Sequence, residues 1–383
     1  MARTLISALE MLTSLQRWNF LPRIETWTET ENATYTAHMA YLIAKETNES
    51  EDFIKHLLLR IMLQSLRKYE ISDISKNTVN ILKSIQLSDK YKQNDNYFNK
   101  LIDYAANKTV ELFPRPIGKT LGKYIEDNSE LCDRDVSQRI EHIFKYCKCK
   151  AALQECLTNS LIYENYYKSA IKEIEKSITE IDEHKIYDEI ISKSEAYLNT
   201  VRNLKYLRRW NRINRSIETS VLAHTYVVTL LAIVYSLNEC DTFSYLYSKN
   251  YKVDSRLDYL SILRSLFHDL LESLTGDVIT PVKTKINELA SKYGKTDLWE
   301  EVENKYKETI RLRMPDSIKE DDKRYSLLDE LSLKIPYSVE SIVKQCDMSA
   351  LIIECIFELK ANPSINEMQD TYSKYIDRLK NSE

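Results

Sequence analysis

The chain has 383 residues, 29% of them charged and 43% hydrophobic, which is enough for two ordinary globular domains or one large one. A formal net charge of -4 excludes the broad basic field of a dedicated nucleic-acid binder, so nucleic acid is not an expected partner. Only four glycines and seven prolines interrupt long periodic stretches of Lys, Glu, Leu, Ile and Ser, and this predicts an all-α fold.

The N-terminus has no signal-peptide h-region, and no apolar run reaches the roughly 18 residues of a membrane span, so a cytoplasmic protein without membrane contact is expected. The seven cysteines, Cys132, Cys147, Cys149, Cys156, Cys240, Cys346 and Cys355, are odd in number and lack paired spacing, which suits reduced thiols.

In chain order, the first landmarks are Arg17-Trp18-Asn19, then Ala37-His38 before an apolar helical run, then Leu59-Arg60 leading to Gln64-Ser65 and Asp73. Gly118-Lys119-Thr120 has the ending of a phosphate-binding loop, but no glycine stands five residues earlier, and a surface turn is expected there. A helix carrying Lys145, Cys147, Lys148, Glu155 and Cys156 follows. The charged segment 181–199 is expected to be a helical linker between domains at 1–180 and 200–383.

The same landmarks recur in the second half, as Arg209-Trp210-Asn211, Ala223-His224, Leu263-Arg264 leading to His268-Asp269, Asp277, and a helix with Lys344, Cys346, Asp347, Glu354 and Cys355. An insertion around Cys240 to Leu257, rich in Tyr, Ser and Asp, is expected to form a loop or lid. The two halves differ where it matters chemically. His268, Asp269, Glu272 and Asp347 of the second half face Gln64, Ser65, Lys68 and Lys148 of the first. The first copy is therefore expected to bind no catalytic metal, because an ammonium opposite Asp347 repels a cation or replaces it. It keeps Arg17, Trp18 and His38, which makes those three a candidate regulatory nucleotide site, against the alternative of a scaffold.

Apolar residues from Tyr259 to Leu274 recur at helical spacing and stop at Gly276. On such a helix His268, Asp269 and Glu272 lie to one side, a cluster costly to bury without a counter-charge, and a divalent cation is the usual source of one. His224 and Asp347 fall on the apolar faces of two further predicted helices, the latter over Val339 to Leu359.

The order His224, His268-Asp269, Asp347 resembles that of the HD-domain metal-dependent phosphohydrolases. The wider string from His268 to Lys283, with Glu272, Thr275-Gly276-Asp277 and Thr280-Pro281, together with Arg209-Trp210 ahead of the first histidine, is similar to the YfbR-type 5'-deoxynucleotidases over Leu204 to Leu359. The resemblance implies two tandem HD-type helical domains, the first degenerate, and one divalent ion held by His224, His268, Asp269 and Asp347. Mn, Co, Fe, Ni and Mg all suit these donors.

It further implies Glu272 as general acid or base, Arg209 on the phosphate, Trp210 and Asp277 at the sugar, and Thr280 and Pro281 in the pocket wall. The implied activity is removal of the 5'-phosphate from deoxynucleoside monophosphates. Two alternatives stay open: a deoxynucleoside triphosphate triphosphohydrolase under control of a nucleotide effector, which would suit phage defence, and a non-catalytic nucleotide sensor. Pairing into a homo-oligomer is a further expectation.

Overall fold

The structure is a computed structural model of the chain, describing residues 4–74, 78–79, 81–82, 97–126, 131–246, 257–329 and 337–380. The fold is all-α: among the described residues, pairing of extended backbone is confined to two isolated bridges, Gln16 with Thr28 and Arg208 with Ser220. No helix among them is long and apolar enough to cross a membrane. Six cysteines are free thiols, and the Cys240 side chain lies outside the described residues.

The chain divides into two compact units, one of residues 1–40 and 50–184, the other of residues 41–49 and 185–383. Unit 1 contains α1 (Leu5–Ser14), most of α2 (Glu29–Glu46), α3 (Glu51–Gln64), a short 3-10 turn (Ser65–Arg67), α4 (Lys68–Ile71), α5 (Tyr97–Val110), α6 (Arg115–Ile125) and α7 (Arg134–Thr179). Unit 2 contains α8 (His184–Lys193), α9 (Glu195–Asn203), α10 (Val221–Leu246), α11 (Leu257–Phe267), α12 (Glu272–Thr275), α13 (Thr280–Ser291), α14 (Leu298–Arg313), α15 (Asp316–Tyr325), α16 (Tyr337–Ala361) and α17 (Asn366–Lys380). Residues 181–199 fall largely within α8 and α9. The expected loop after Cys240 begins as helix, since α10 runs on to Leu246, and residues 247–256 lie outside the described residues.

Local chemistry accounts for the helix ends. Thr4 and Ser7 form a reciprocal cap on α1, and Ser50 caps α3 by accepting from the Phe53 amide, with Glu51 and Asp52 in its first turn. Gly118-Lys119-Thr120 is helical, inside α6, which corrects the expected turn. Its glycine has a steric reason: a Cβ at 118 would stand 2.8 Å from the Val110 carbonyl oxygen.

In unit 2 the core forms where α10, α11 and α16 pack, around the buried Val228, Leu230, Leu263, Phe267 and Ile353. Buried Arg264 ties this core to the chain beyond α15 through Glu340 (2.9 Å) and the Leu327 carbonyl (2.6 Å). Tyr41, at the end of α2 that belongs to this unit, meets Phe267 edge-on at 5.5 Å and donates to Asp321.

Unit 1 carries a buried ionic network. Arg17 pairs with Glu29 at 2.9 Å and with Glu155 at 3.0 Å, and Lys68 reaches both Glu29 and Asp73 at 2.8 Å. Burial alone would raise the Glu29 carboxyl, but Lys68 and Arg17 outweigh it and lower its pKa from 4.5 to about 2. The stability contributed by this depressed group is fully present above the unfolded value of 4.5 and is lost as pH falls towards 2. Glu29→Gln is accordingly expected to cost about 3 kcal/mol near neutral pH, in a gap from wild type that closes on acidification. Urea midpoints measured across that range check this, and a gap constant with pH would contradict it.

Candidate metal centre

Three segments deliver the donors. A short bridge precedes α10, with the Arg209 amide on the Thr219 carbonyl (2.9 Å) and the Val221 amide on the Leu207 carbonyl (3.0 Å). This fixed start puts His224 at the first turn of α10, fully buried. The second segment departs from the continuous helix expected from Tyr259 to Leu274. The helix stops at Phe267, and His268–Leu271 tighten into a turn in which the Leu270 and Glu272 amides bond three residues back, to Phe267 and Asp269. His268 reinforces the break, since its Nδ1 lies 2.6 Å from the Ser265 carbonyl. Gly276, at φ +73 and ψ 169, then ends α12 in a conformation that favours glycine. The third segment is α16, which carries Asp347 and Glu354.

His224 Nε2 lies 2.9 Å from Asp347 Oδ1 and 3.9 Å from Asp269 Oδ2, and His268 Nε2 lies 3.1 Å from that same Asp269 oxygen. Ligand atoms of His224, His268 and Asp347 fall within 4.8 Å of one another. A carbonyl only accepts, so the contact with Ser265 puts the His268 proton on Nδ1 and leaves Nε2 for a ligand. Glu354 does the same for His224, accepting from Nδ1 at 2.8 Å.

The electrostatics call for a cation. Burial would raise every carboxyl here, yet Arg209 and His224 hold Glu354 well below the usual range, and His268, His224 and Arg209 do so for Asp269. Contact with His224 lowers Asp347 as well. Glu272 moves the other way: burial and the Asp269 charge push it up to about 9. Burial and Arg209 oppose a proton on His224, but Glu354 and Asp347 prevail and lift its pKa to about 9. A cluster that retains protons this firmly is short of positive charge. Among the described residues, three buried atoms of this cluster lack a hydrogen-bond partner, namely His268 Nε2, Asp269 Oδ2 and Glu272 Oε2. Two imidazoles with carboxylates are a donor set for a first-row divalent ion, so the residues fit one.

The structure brings Arg209 and Trp210 to the same centre by a route the sequence reading did not contain. Both engage Glu354, Arg209 Nε at 3.2 Å and the Trp210 indole N–H at 2.6 Å, while Arg209 Nη1 stands 3.9 Å from Asp269. Asp277 is half-buried, close enough to add to the field that raises Glu272. Pro281 is exposed at the start of α13, and the Thr280 side chain lies outside the described residues. Glu354 and Glu358 are the residues supporting the candidate centre that sequence reasoning did not single out. They follow Asp347 by two and three helical turns on one face of α16, and that periodicity was the available signal. Glu358 accepts from the Ser216 and Ile217 amides at 2.8 and 3.2 Å, fixing the loop after Trp210.

Unit 1 makes a parallel set of bonds with other residues. The Arg17 amide meets the Trp27 carbonyl, Trp18 and Trp210 both take positive φ (54° and 60°), and Asn159 accepts from the Ile24 and Glu25 amides as Glu358 does from Ser216 and Ile217. Asn32 Nδ2 donates to Glu155 at 2.6 Å, as His224 donates to Glu354, and each bonds its amide four residues back, to Thr28 and to Ser220. Asn32 therefore occupies the place that the sequence comparison gave to His38. The similar apolar runs after the two histidines suggested the wrong helix register, and His38 sits six residues further along α2, fully buried. Arg17 pairs with Glu29 and Glu155, and the Trp18 ring lies tilted against Phe20 and edge-on to Tyr167, each at 6.1 Å between centroids.

Residues 196–383 match the family described as 5'-deoxynucleotidase YfbR-like. Among curated relatives, the 5'-deoxynucleotidase of Vibrio atlanticus is 24% identical over 171 residues, 44% of this chain and 77% of its own length. A 5'-deoxynucleotidase of Photobacterium profundum is 29% identical over 174 residues, 45% of this chain and 78% of its own. That of Citrobacter koseri is 27% identical over 172 residues, covering 44% and 75%. The matched segment contains every residue of the centre above. The similarity to YfbR-like 5'-deoxynucleotidases therefore spans residues 196–383, just under half of the chain.

Proposed function

We propose that the protein is a divalent-metal-dependent phosphohydrolase that removes the 5'-phosphate from deoxynucleoside monophosphates. The observation that carries this reading is the convergence of His224, His268, Asp269 and Asp347, with buried donor atoms lacking hydrogen-bond partners, inside the segment that matches 5'-deoxynucleotidases. His224 and His268 would hold the ion through Nε2, with Asp347 and Asp269 completing the protein donors. The ion would supply Lewis-acid charge to a phosphoryl oxygen and acidify water.

The chain's own groups do the rest. Arg209, always charged and braced by Glu354, offsets the charge that develops on the phosphoryl oxygens. Glu272 has a buried oxygen free of hydrogen bonds among the described residues beside Asp269; with the charge of Asp269, which helps raise its carboxyl, offset by a bound cation, it would take a proton from water as the new oxygen–phosphorus bond forms. It returns that proton to the 5'-oxygen as the phosphorus–oxygen bond breaks, leaving inorganic phosphate and a deoxynucleoside. Trp210, Asp277, Thr280 and Pro281 would shape the sugar side of the pocket.

Wild type and Asp269→Ala, incubated with deoxy- and ribonucleoside mono- and triphosphates in Mn, Co or Mg, test the reading by chromatography of the products. Inorganic phosphate from deoxynucleoside monophosphates with wild type alone is expected. Release of inorganic triphosphate would replace the reading with a triphosphohydrolase, and absence of turnover in every mixture would remove the enzymatic reading.

A further inference from the structure

The position of the metal donors in unit 2 has a counterpart of opposite charge in unit 1. Lys148 precedes Glu155 on α7 by seven residues, as Asp347 precedes Glu354 on α16, and Glu155 and Glu354 accept from the paired residues Asn32 and His224. Lys68 stands four residues before Ser72, whose amide bonds its carbonyl at 2.8 Å, and Glu272 has the same relation to Gly276. The scaffold is thus kept, and two carboxylates have become two ammonium groups.

These groups line a cavity of about 200 Å³ within unit 1. Arg67, Lys68 and Lys148 contribute cations to its wall, against the carboxylate of Glu29, which is already shared by Lys68 and Arg17. Among the described residues Lys148 forms no ion pair, only a contact over the Phe144 ring of its own helix at 5.4 Å. Lys148 as a whole is exposed, with its ammonium at the cavity wall, where desolvation and the nearby charge of Lys68, with Arg67 and Arg17 beyond, outweigh Glu29 and lower its pKa to about 8. The Thr36 hydroxyl, 2% exposed and without a hydrogen-bond partner among the described residues, lines the same cavity as a donor open to an acceptor. Ile61, Ile71 and Phe144 form an apolar wall beside these polar groups.

We propose that this cavity is a metal-independent binding site for an organic phosphate monoester, with the phosphate on Lys148, Lys68 and the Thr36 hydroxyl and the organic body against Ile61, Ile71 and Phe144. A phosphate supplies the negative charge that Lys148 lacks and the acceptor that Thr36 lacks, and it requires no ion to hold it. The site itself does not depend on the catalytic reading of unit 2; only the choice of a nucleotide as probe does.

Calorimetric titration of the full chain in EDTA with 2'-deoxyadenosine 5'-monophosphate, inorganic phosphate and 2'-deoxyadenosine tests it. The monophosphate is expected to bind more tightly than inorganic phosphate, and the nucleoside not to bind. Lys148→Glu should weaken the monophosphate by about tenfold or more, and Lys148→Met, which keeps the stem, by less. Asp269→Ala, altered in unit 2, should bind as wild type does. The proposal fails if wild type binds no phosphate, if the nucleoside binds as well as the monophosphate, if inorganic phosphate alone binds, if Lys148→Glu has no effect, or if Asp269→Ala abolishes binding. Loss of turnover in the metal-loaded enzyme would bear on unit 2 only, so the two readings fail separately.

Discussion

Asp347→Ala is expected to reduce phosphate release from a deoxynucleoside monophosphate by about a thousandfold or more, with little change in stability. The two effects separate because of where the side chain sits. Its carboxylate touches His224 Nε2 at 2.9 Å, yet the side chain is 46% exposed, so truncation removes a donor without opening a cavity in the core. The attraction to His224 that truncation loses is screened by solvent at this exposure and is partly offset by relief of repulsion with Asp269. Steady-state kcat/KM, bound metal and a thermal midpoint measured on the same preparation check the outcome. Activity within about tenfold of wild type would show that Asp347 lies outside the reacting centre.

Glu354→Ala should do the reverse, with loss of stability as large as loss of function. Glu354 is 3% exposed and accepts from Arg209, Trp210 and His224 together. Its removal strands a buried guanidinium and an indole N–H, a change that costs about 3–5 kcal/mol when a buried ion pair loses one partner. It also frees the His224 ring, and loss of such a support lowers metal affinity by about 10–100-fold. Glu354→Gln separates these effects. The amide fills the same volume and still accepts one bond, so most of the stability should return, while metal affinity stays low because a neutral acceptor no longer strengthens His224 as a donor. Urea unfolding and metal titration of both variants provide the readout; equal metal affinity in all three proteins would remove Glu354 from the centre.

The residues with unusual chemistry were visible in the sequence because each was costly in its surroundings. His224 and Asp347 stood on apolar helical faces, and His268-Asp269-Glu272 gathered three ionisable groups beside a run of leucines. The structure brings those groups together. What the sequence hid followed from short-range geometry. Periodicity continued through His268, but a side-chain bond to the Ser265 carbonyl and tightened turn bonds break the helix there. Helix register in the first half was set by the backbone bonds of the Gln16–Thr28 bridge, so matching apolar runs pointed to His38 where Asn32 stands. Glu354 stood in the sequence only as a landmark of the internal repeat, because its three donors come from residues about 130–145 positions away.

The most direct measurement is a titration of EDTA-treated protein with Mn²⁺ while inorganic phosphate released from 2'-deoxyadenosine 5'-monophosphate is followed. No release before addition, a rise that saturates at one ion per chain, and no response in His268→Ala are the predicted results. Full turnover in EDTA, or an unchanged Mn²⁺ response in His268→Ala, would contradict a catalytic metal centre built from His224, His268, Asp269 and Asp347.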